Sequence, residues 1–549
     1  ITVDSSNNYT FAGTAGNVIG GNTGITKNGT GSLTLASSNT FLGALTLNGG
    51  TTTLPARQAY TGGTTVNNGA ILDLTGGGGQ GGTIRGTVNV NDTGILRITT
   101  GDATGWGTGP DRITALNLSN GGTLEVNNNA NNQTLSNIAI TLTGGNIVKG
   151  AAAAGHNGNI DLFNGSTSIS SLASSTTSTI AYGVNLGMRQ PVTTITTALG
   201  STASGIDLQI DGSINSSPYD FTTPALVKNG PGTLCLNNPP ATGIGTTSVY
   251  TGTTTINGGT LLVGTGGNTG IIGTGDIINN AALVFDRFDE VTLANTVSGT
   301  GTLEQRGSGT LVLTSGGTRS GDTLVSAGTL HMGATAFTAS TFRVDAGATL
   351  SAGTPSTTGT ATAPGLALNG GNLTYRISSD LSDKIIVTGS NGFSVNAPTE
   401  IVCTPSGSLQ SGQTIQLIDY AGTIGGFGFG GLSLTVQGTN PHYSFTLVNN
   451  TTDTRVDASV TADTLIWQGN LSDVWDVETT SNWATTSNNS SSMYYDGDQV
   501  RFTDAGSGNP LVSLNGYIIP NSVEFDATID YTLDGAGITG ISSLWKKNS

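Results

Sequence analysis

At 549 residues the chain exceeds the roughly 250–300 at which a single core stops growing, so it divides into domains or extends as a repeat. Gly takes 85 positions, Pro 15, and Asp, Glu, Lys and Arg together only 9%, with no Gly-x-y period, which excludes both collagen and a charge-driven disordered chain. The net charge of −16, with 18 scattered cations, offers no footprint for nucleic acid or an anionic membrane, and no apolar run of ~20 residues could insert as a helix.

No basic start, apolar stretch and cleavage site precede Ile1, so either a removed signal or an excerpt of something longer is expected. Along the chain one phrase keeps returning: an aliphatic residue, Asn or Ser, a small residue and Gly. It appears as Leu47-Asn48-Gly49-Gly50, Val66-Asn67-Asn68-Gly69, Val90-Asn91-Asp92-Thr93-Gly94 and Leu118-Ser119-Asn120-Gly121-Gly122. It returns as Ile256-Asn257-Gly258-Gly259, Val325-Ser326-Ala327-Gly328, Val344-Asp345-Ala346-Gly347 and Leu368-Asn369-Gly370-Gly371. The glycines supply the corner, and flanking runs such as Ser32-Leu33-Thr34-Leu35 and Thr233-Leu234-Cys235-Leu236 alternate apolar with polar, as half-buried strands do. A unit in the low twenties of residues cannot bury its own apolar face, but stacked units bury a continuous one. The expected fold is therefore all-β: a right-handed parallel β-helix (β-solenoid) with an additional β-rich C-terminal region.

A second phrase, Lys-Asn-Gly-x-Gly-x-Leu, runs from Lys27 to Leu33 and from Lys228 to Leu234, with a degenerate copy from Gln305 to Leu311. Thr-rich strands follow Tyr60-Thr61-Gly62 and Tyr250-Thr251-Gly252. Together these phrases resemble the autotransporter-associated β-strand repeat of passenger regions in bacterial surface proteins, with clear copies at 25–75, 226–264 and 298–333. The resemblance implies a secreted or cell-surface bacterial address and a passenger-type β-helix.

Residues 1–365 are read as solenoid rungs, irregular or decorated near 150–225, where Ala151 to Ala154 and Ser166 to Thr179 break the pattern. Longer strands over 366–462, such as Lys384-Ile385-Ile386-Val387, suggest wider rungs or a small sandwich. The stretch 463–549 carries Trp467-Gln468-Gly469, Trp475-Asp476 and Asn482-Trp483, similar to modules that lead into the next repeat block of large secreted proteins. Tyr531-Thr532-Leu533-Asp534-Gly535 parallels Tyr9-Thr10-Phe11-Ala12-Gly13, so the chain begins and ends at nearly one phase. That match predicts a tandem array or head-to-tail self-association through open solenoid ends.

The chemistry-bearing residues offer little. His156, His331 and His442 stand in unrelated contexts and are expected at solvent-facing or turn positions. Two cysteines, Cys235 and Cys403, fit neither a disulfide framework nor a metal site, and alternation turns Cys235 outward from Leu234 and Leu236. For a lyase or glycosidase the acidic groups to weigh are Asp286, Asp289 and Glu290, Asp380 and Asp383, and Asp496, Asp498 and Asp504. The best of them, Asp286-Arg287-Phe288-Asp289-Glu290, reads as a surface loop with an internal ion pair. Asp496-Gly497-Asp498 falls short of the six to eight oxygens that Ca²⁺ takes. The tryptophans at 467, 475 and 483 suit a local hydrophobic core better than a sugar platform. We therefore expect no enzyme, no catalytic, cofactor or metal site, and no nucleic-acid or membrane partner. The expected role is a structural extracellular or cell-surface protein that assembles end to end into a filament, matrix or surface fibre. The alternatives are an adhesin-type passenger binding glycan or protein and, third, a polysaccharide lyase or glycosidase.

Overall fold

The structure is a computed structural model that describes residues 1–13, 17–127, 133–151, 158–163, 167–216, 223–239, 249–378, 380–405, 409–438, 440–540 and 543–547. His156 lies outside the described residues. Among the described residues nearly all regular structure is β-strand, with short 3₁₀ turns such as Gly428–Gly431 and Asp504–Gly506. The chain forms two compact units, one of residues 1–311 and 315–323, the other of 312–314 and 324–549.

The first unit is a β-solenoid. One parallel sheet of 13 strands runs in chain order from Thr2–Val3 through Ile25–Lys27, Leu45–Leu47 and Thr64–Val66 to Ile277–Asn279 and Val297–Ser298. A second parallel ladder interleaves with it, through Leu33–Leu35, Thr51–Leu54, Ile71–Leu74 and onward to Thr302–Gln305. Parallel neighbours need a connection, and here each connection is the rest of one turn.

Register explains why the sequence period drifts without harm. Leu72, Leu96, Leu124, Ile147, Ile180, Ile210, Leu236, Val263 and Phe285 lie over one another through successive pairings, although the steps between them vary. All are buried at the core. On the first sheet Val88, Leu116, Ile140, Ile169 and Ile195 make a matching column. Strands stay in phase, and the spare residues are spent in corners. Gly259 is one such corner: its φ is +63° and a Cβ there would lie 2.2 Å from the Gly232 carbonyl oxygen.

Of the segments expected to break the pattern, Ala152 to Ala154 and Ser166 lie outside the described residues. Gln133–Ser136, Gly158–Phe163, Val184–Arg189 and Ser213–Ser216 form a third parallel sheet, so these turns carry three strands instead of two.

The second unit opens with three parallel sheets. Leu330, Leu350, Leu373, Ile401 and Leu434 follow one another in register, as do Val344, Leu368 and Val395. Up to Leu432–Val436 the longer strands stack in this parallel order. Antiparallel pairing then enters, with Arg455–Ala462 between Thr414–Ala421 and Tyr443–Asn450. From Thr464–Trp467 parallel order resumes through Gln499–Thr503, Ser522–Asp526 and Ser543–Lys546.

If the columns carry the fold, Leu236→Ala costs about 2–5 kcal/mol and Gly259→Ala at least about 1 kcal/mol, both read as lowered urea midpoints. Midpoints unchanged by either substitution would refute that assignment.

Candidate functional site

The second phrase of the sequence builds a specific corner. Lys228 pairs in register with Ile195 on one side and Ile256 on the other, so its stem occupies an aliphatic column. It is fully buried. Its Nζ donates to the carbonyls of Gly230, Gly232 and Gly258 at 2.7 Å each and of Asn229 at 3.2 Å. Gly258 belongs to the following turn, so one ammonium ties two turns together. Lys27 repeats the arrangement on Gly29 and on Gly49 of the next turn. In the degenerate copy Gln305 donates its Nε2 to Gly307 at 2.8 Å and Gly309 at 3.1 Å. These carbonyls curl inward at the glycine corners and would otherwise be buried without donors.

The turn before the next strand is built as consistently. Tyr60 bonds Thr64 at 2.5 Å and stacks on Phe41 with centroids 4.7 Å apart. Tyr250 bonds Thr254 at 2.7 Å, and buried Arg319 bonds Thr323 at 2.5 Å from the same four-residue spacing.

On the outward side the Asn of the first phrase forms a ladder. Asn48 donates to Asn28, Asn67 to Asn48 and Asn91 to Asn67, each at 3.0 Å, and Ser119 continues it to Asn91 at 2.6 Å. Asn257 to Asn229 and Asn396 to Asn369 are further steps of this kind. Stacked amides satisfy one another along the axis and leave a neutral polar surface.

Several expected placements change. Cys235 does turn away from Leu234 and Leu236, yet it is 0% exposed. Ile206, Leu262 and Val284 cover it in a small apolar cluster on the outer face of the sheet, and its thiol approaches the Gly264 carbonyl at 3.8 Å. Alternation gives the side of a sheet but not what covers that side. Cys403 is buried too, and both are free thiols pushed up to about 12 by desolvation. Of the described histidines neither is fully exposed, and His442 stands at a turn, one of the two positions expected. His331 is half-buried with Nδ1 3.1 Å from the Gly353 carbonyl, and His442 is buried.

The acidic candidates are engaged locally. Arg287 closes on Asp289 at 2.6 Å and Arg306 on Asp286 at 2.9 Å. Asp383 accepts the N–H groups of Gly359 and Arg376, while Asp380 is exposed. Asp504 caps Thr528. Asp496 takes the Ile519 N–H at 3.0 Å. Among the described residues no three His, Cys, Asp or Glu side chains gather as a metal-binding group.

Trp467, Trp475 and Trp483 form the heart of the last core, with Tyr494 and Phe502. Their rings meet edge-on at about 5 Å. Buried Asn482 holds this turn, accepting from Leu471 and Ser472 and donating to Ser472 Oγ and the Val474 carbonyl.

One constellation has no counterpart in the sequence reading. His442 reaches Asp498 through Nδ1, at 2.9 Å to one carboxylate oxygen and 3.0 Å to the other, and Ser492 Oγ lies 2.7 Å from its Nε2. Fifty residues or more separate the histidine from both partners, so no local spacing signals it.

The β-solenoid with buried donors at its glycine corners fits a passenger-type β-helix. Comparison with known families agrees: the Passenger-associated-transport-repeat matches at residues 25–54, 226–263 and 303–332, and each match contains one of the corner donors Lys27, Lys228 and Gln305. The chain is also similar to "Adhesin BmaC autotransporter" of Brucella suis biovar 1 (strain 1330), 54% identical over 55 residues. That stretch is 10% of this chain, and it covers only 2% of the relative's length.

Lys228→Met leaves the corner carbonyls without a donor and is expected to cost at least about 2 kcal/mol, whereas Lys228→Gln, which imitates Gln305, costs less. Burial lowers the Lys228 pKa to about 8 despite nearby Asp207. The unfolded chain therefore holds the proton over a range where the folded chain has released it, and stability rises with pH. Between pH 8 and about 10.5 the wild type should gain on Lys228→Gln in parallel urea titrations; a flat difference would contradict the assignment. For the thiols, iodoacetamide at pH 8 should leave Cys235 and Cys403 unmodified in the native chain and alkylate both in denaturant, as read by mass spectrometry.

Proposed function

We propose that the chain is part of an exported, surface-displayed bacterial passenger with an adhesive, non-catalytic role for its solenoid. The observation that carries this reading is the outer Asn ladder, held on in-register turns and continued by the Ser119 hydroxyl. A neutral row of amides and hydroxyls at one-turn spacing suits the hydroxyls of a polysaccharide or the backbone of an extended peptide, and both are met at cell surfaces. Likeness to a named adhesin and the passenger repeats support the same reading. End-to-end pairing of turn edges into a filament belongs to the proposal as well, since open parallel edges offer unpaired N–H and C=O groups.

Displaying the chain on a non-adherent bacterium tests adhesion. Cells should bind immobilised polysaccharide or matrix protein several-fold above background, and Asn48→Ala with Asn67→Ala should reduce that binding while the fold is kept. Binding equal to that of undecorated cells on every surface would refute the adhesive role. Sedimentation velocity of the purified chain tests pairing: concentration-dependent oligomers are expected, and a monomer at all concentrations would remove the filament from the proposal.

A further inference from the structure

We infer that the second unit carries an acyl-ester hydrolase site made by Ser492, His442 and Asp498, independent of the adhesive reading above. Asp498 is 1% exposed and its carboxylate can only accept, so the proton of the bonded imidazole sits on Nδ1. That leaves Nε2 with its lone pair directed at Ser492 Oγ, 2.7 Å away. The same hydroxyl lies 3.3 Å from the Met493 carbonyl, a longer and weaker alternative. Asp498 is held from two further sides, by Asn440 Nδ2 at 2.5 Å and the Tyr495 N–H at 2.8 Å. The order nucleophile, base, buried orienting carboxylate is the arrangement that activates a serine.

A purely structural latch would not need this second contact. Asn440 and Tyr495 already fix Asp498, and Tyr443 OH ties the same segment down through the carbonyls of Gly497 at 2.6 Å and Leu409 at 2.8 Å. The imidazole adds a nitrogen facing the other way, toward a hydroxyl at the wall of a groove. That groove has a volume of about 580 Å³ and is lined by His442 and Ser492 together with Ser444, Thr461, Thr485 and Asn488. Hydroxyls and an amide, with the Asp463 carboxylate as the acidic group of the lining, fit a short acyl group on an uncharged hydroxylated carrier, such as an O-acetylated sugar. The Met493 N–H, next along the chain after the nucleophile, makes no hydrogen bond among the described residues, and the proposal gives it the oxyanion.

In the reaction, Ser492 Oγ adds to the acyl carbon and its proton passes to His442 Nε2. The bond from that carbon to the carrier oxygen breaks, and His442 returns the proton to the departing alkoxide. Water then adds to the acyl-serine with His442 as base, the bond to Oγ breaks, Ser492 regains its proton and the carboxylic acid leaves. Ester and water give acid and alcohol.

A fluorophosphonate probe and p-nitrophenyl acetate test this on the whole chain, with the emission of the buried tryptophans reporting the fold. The expected result is one adduct, on Ser492, and hydrolysis that falls about a hundredfold or more in Ser492→Ala and His442→Gln. Ser491→Ala should retain both labelling and rate, and Asp498→Asn should lower kcat with KM little changed. A folded chain that takes no probe and hydrolyses no ester above buffer overturns the assignment. So does labelling or hydrolysis that survives Ser492→Ala.

Discussion

Everything in the solenoid turns depends on strand register between successive turns. A parallel ladder fixes the rise per turn, and side chains of like position are then forced to lie over one another. Apolar columns follow where those positions point inward, as from Leu72 to Phe285. Amide ladders follow where they point outward, as from Asn28 to Asn91. One geometric constraint thus produces both the core and the polar skin, and it does so with hardly any charge.

The constraint also creates the structure's main polar difficulty. Every turn must bend, and glycine corners bring carbonyls inward where water does not reach. The chain meets this with a long side chain whose stem is apolar and whose tip is a donor. Lys27, Lys228 and Gln305 all do so, at different electrostatic cost: the lysines are held in the core as cations against desolvation, which the amide of Gln305 avoids. Tyr60, Tyr250 and Arg319 instead bond the hydroxyl of the Thr four residues on.

Much of this could be read from the residues. Asn-Gly phrases with flanking alternation gave away strands, corners and stacking, because those depend on neighbours in sequence. The tryptophan core and the ion pair at Arg287 were legible for the same reason. Burial of Lys228 had a visible sign, a lysine in the apolar slot after Leu226, but charge argues against burial until the facing carbonyls are known. Cys235 was placed on the correct side of its strand and given the wrong exposure, because its cover comes from residues in neighbouring turns. His442 and Asp498 were each noted but not joined to one another or to Ser492, since they meet through pairings between distant strands. Contacts set by folding rather than by spacing leave no local trace.

The step between stacked residues varies across the first unit, and yet the columns stay aligned because all the slack is taken up at bends. Length is therefore a free variable of this architecture. Whole turns could be gained or lost by unequal copying of the coding segment with each junction resembling any other, whereas displacing a single strand by one residue would bring its Thr side chains indoors.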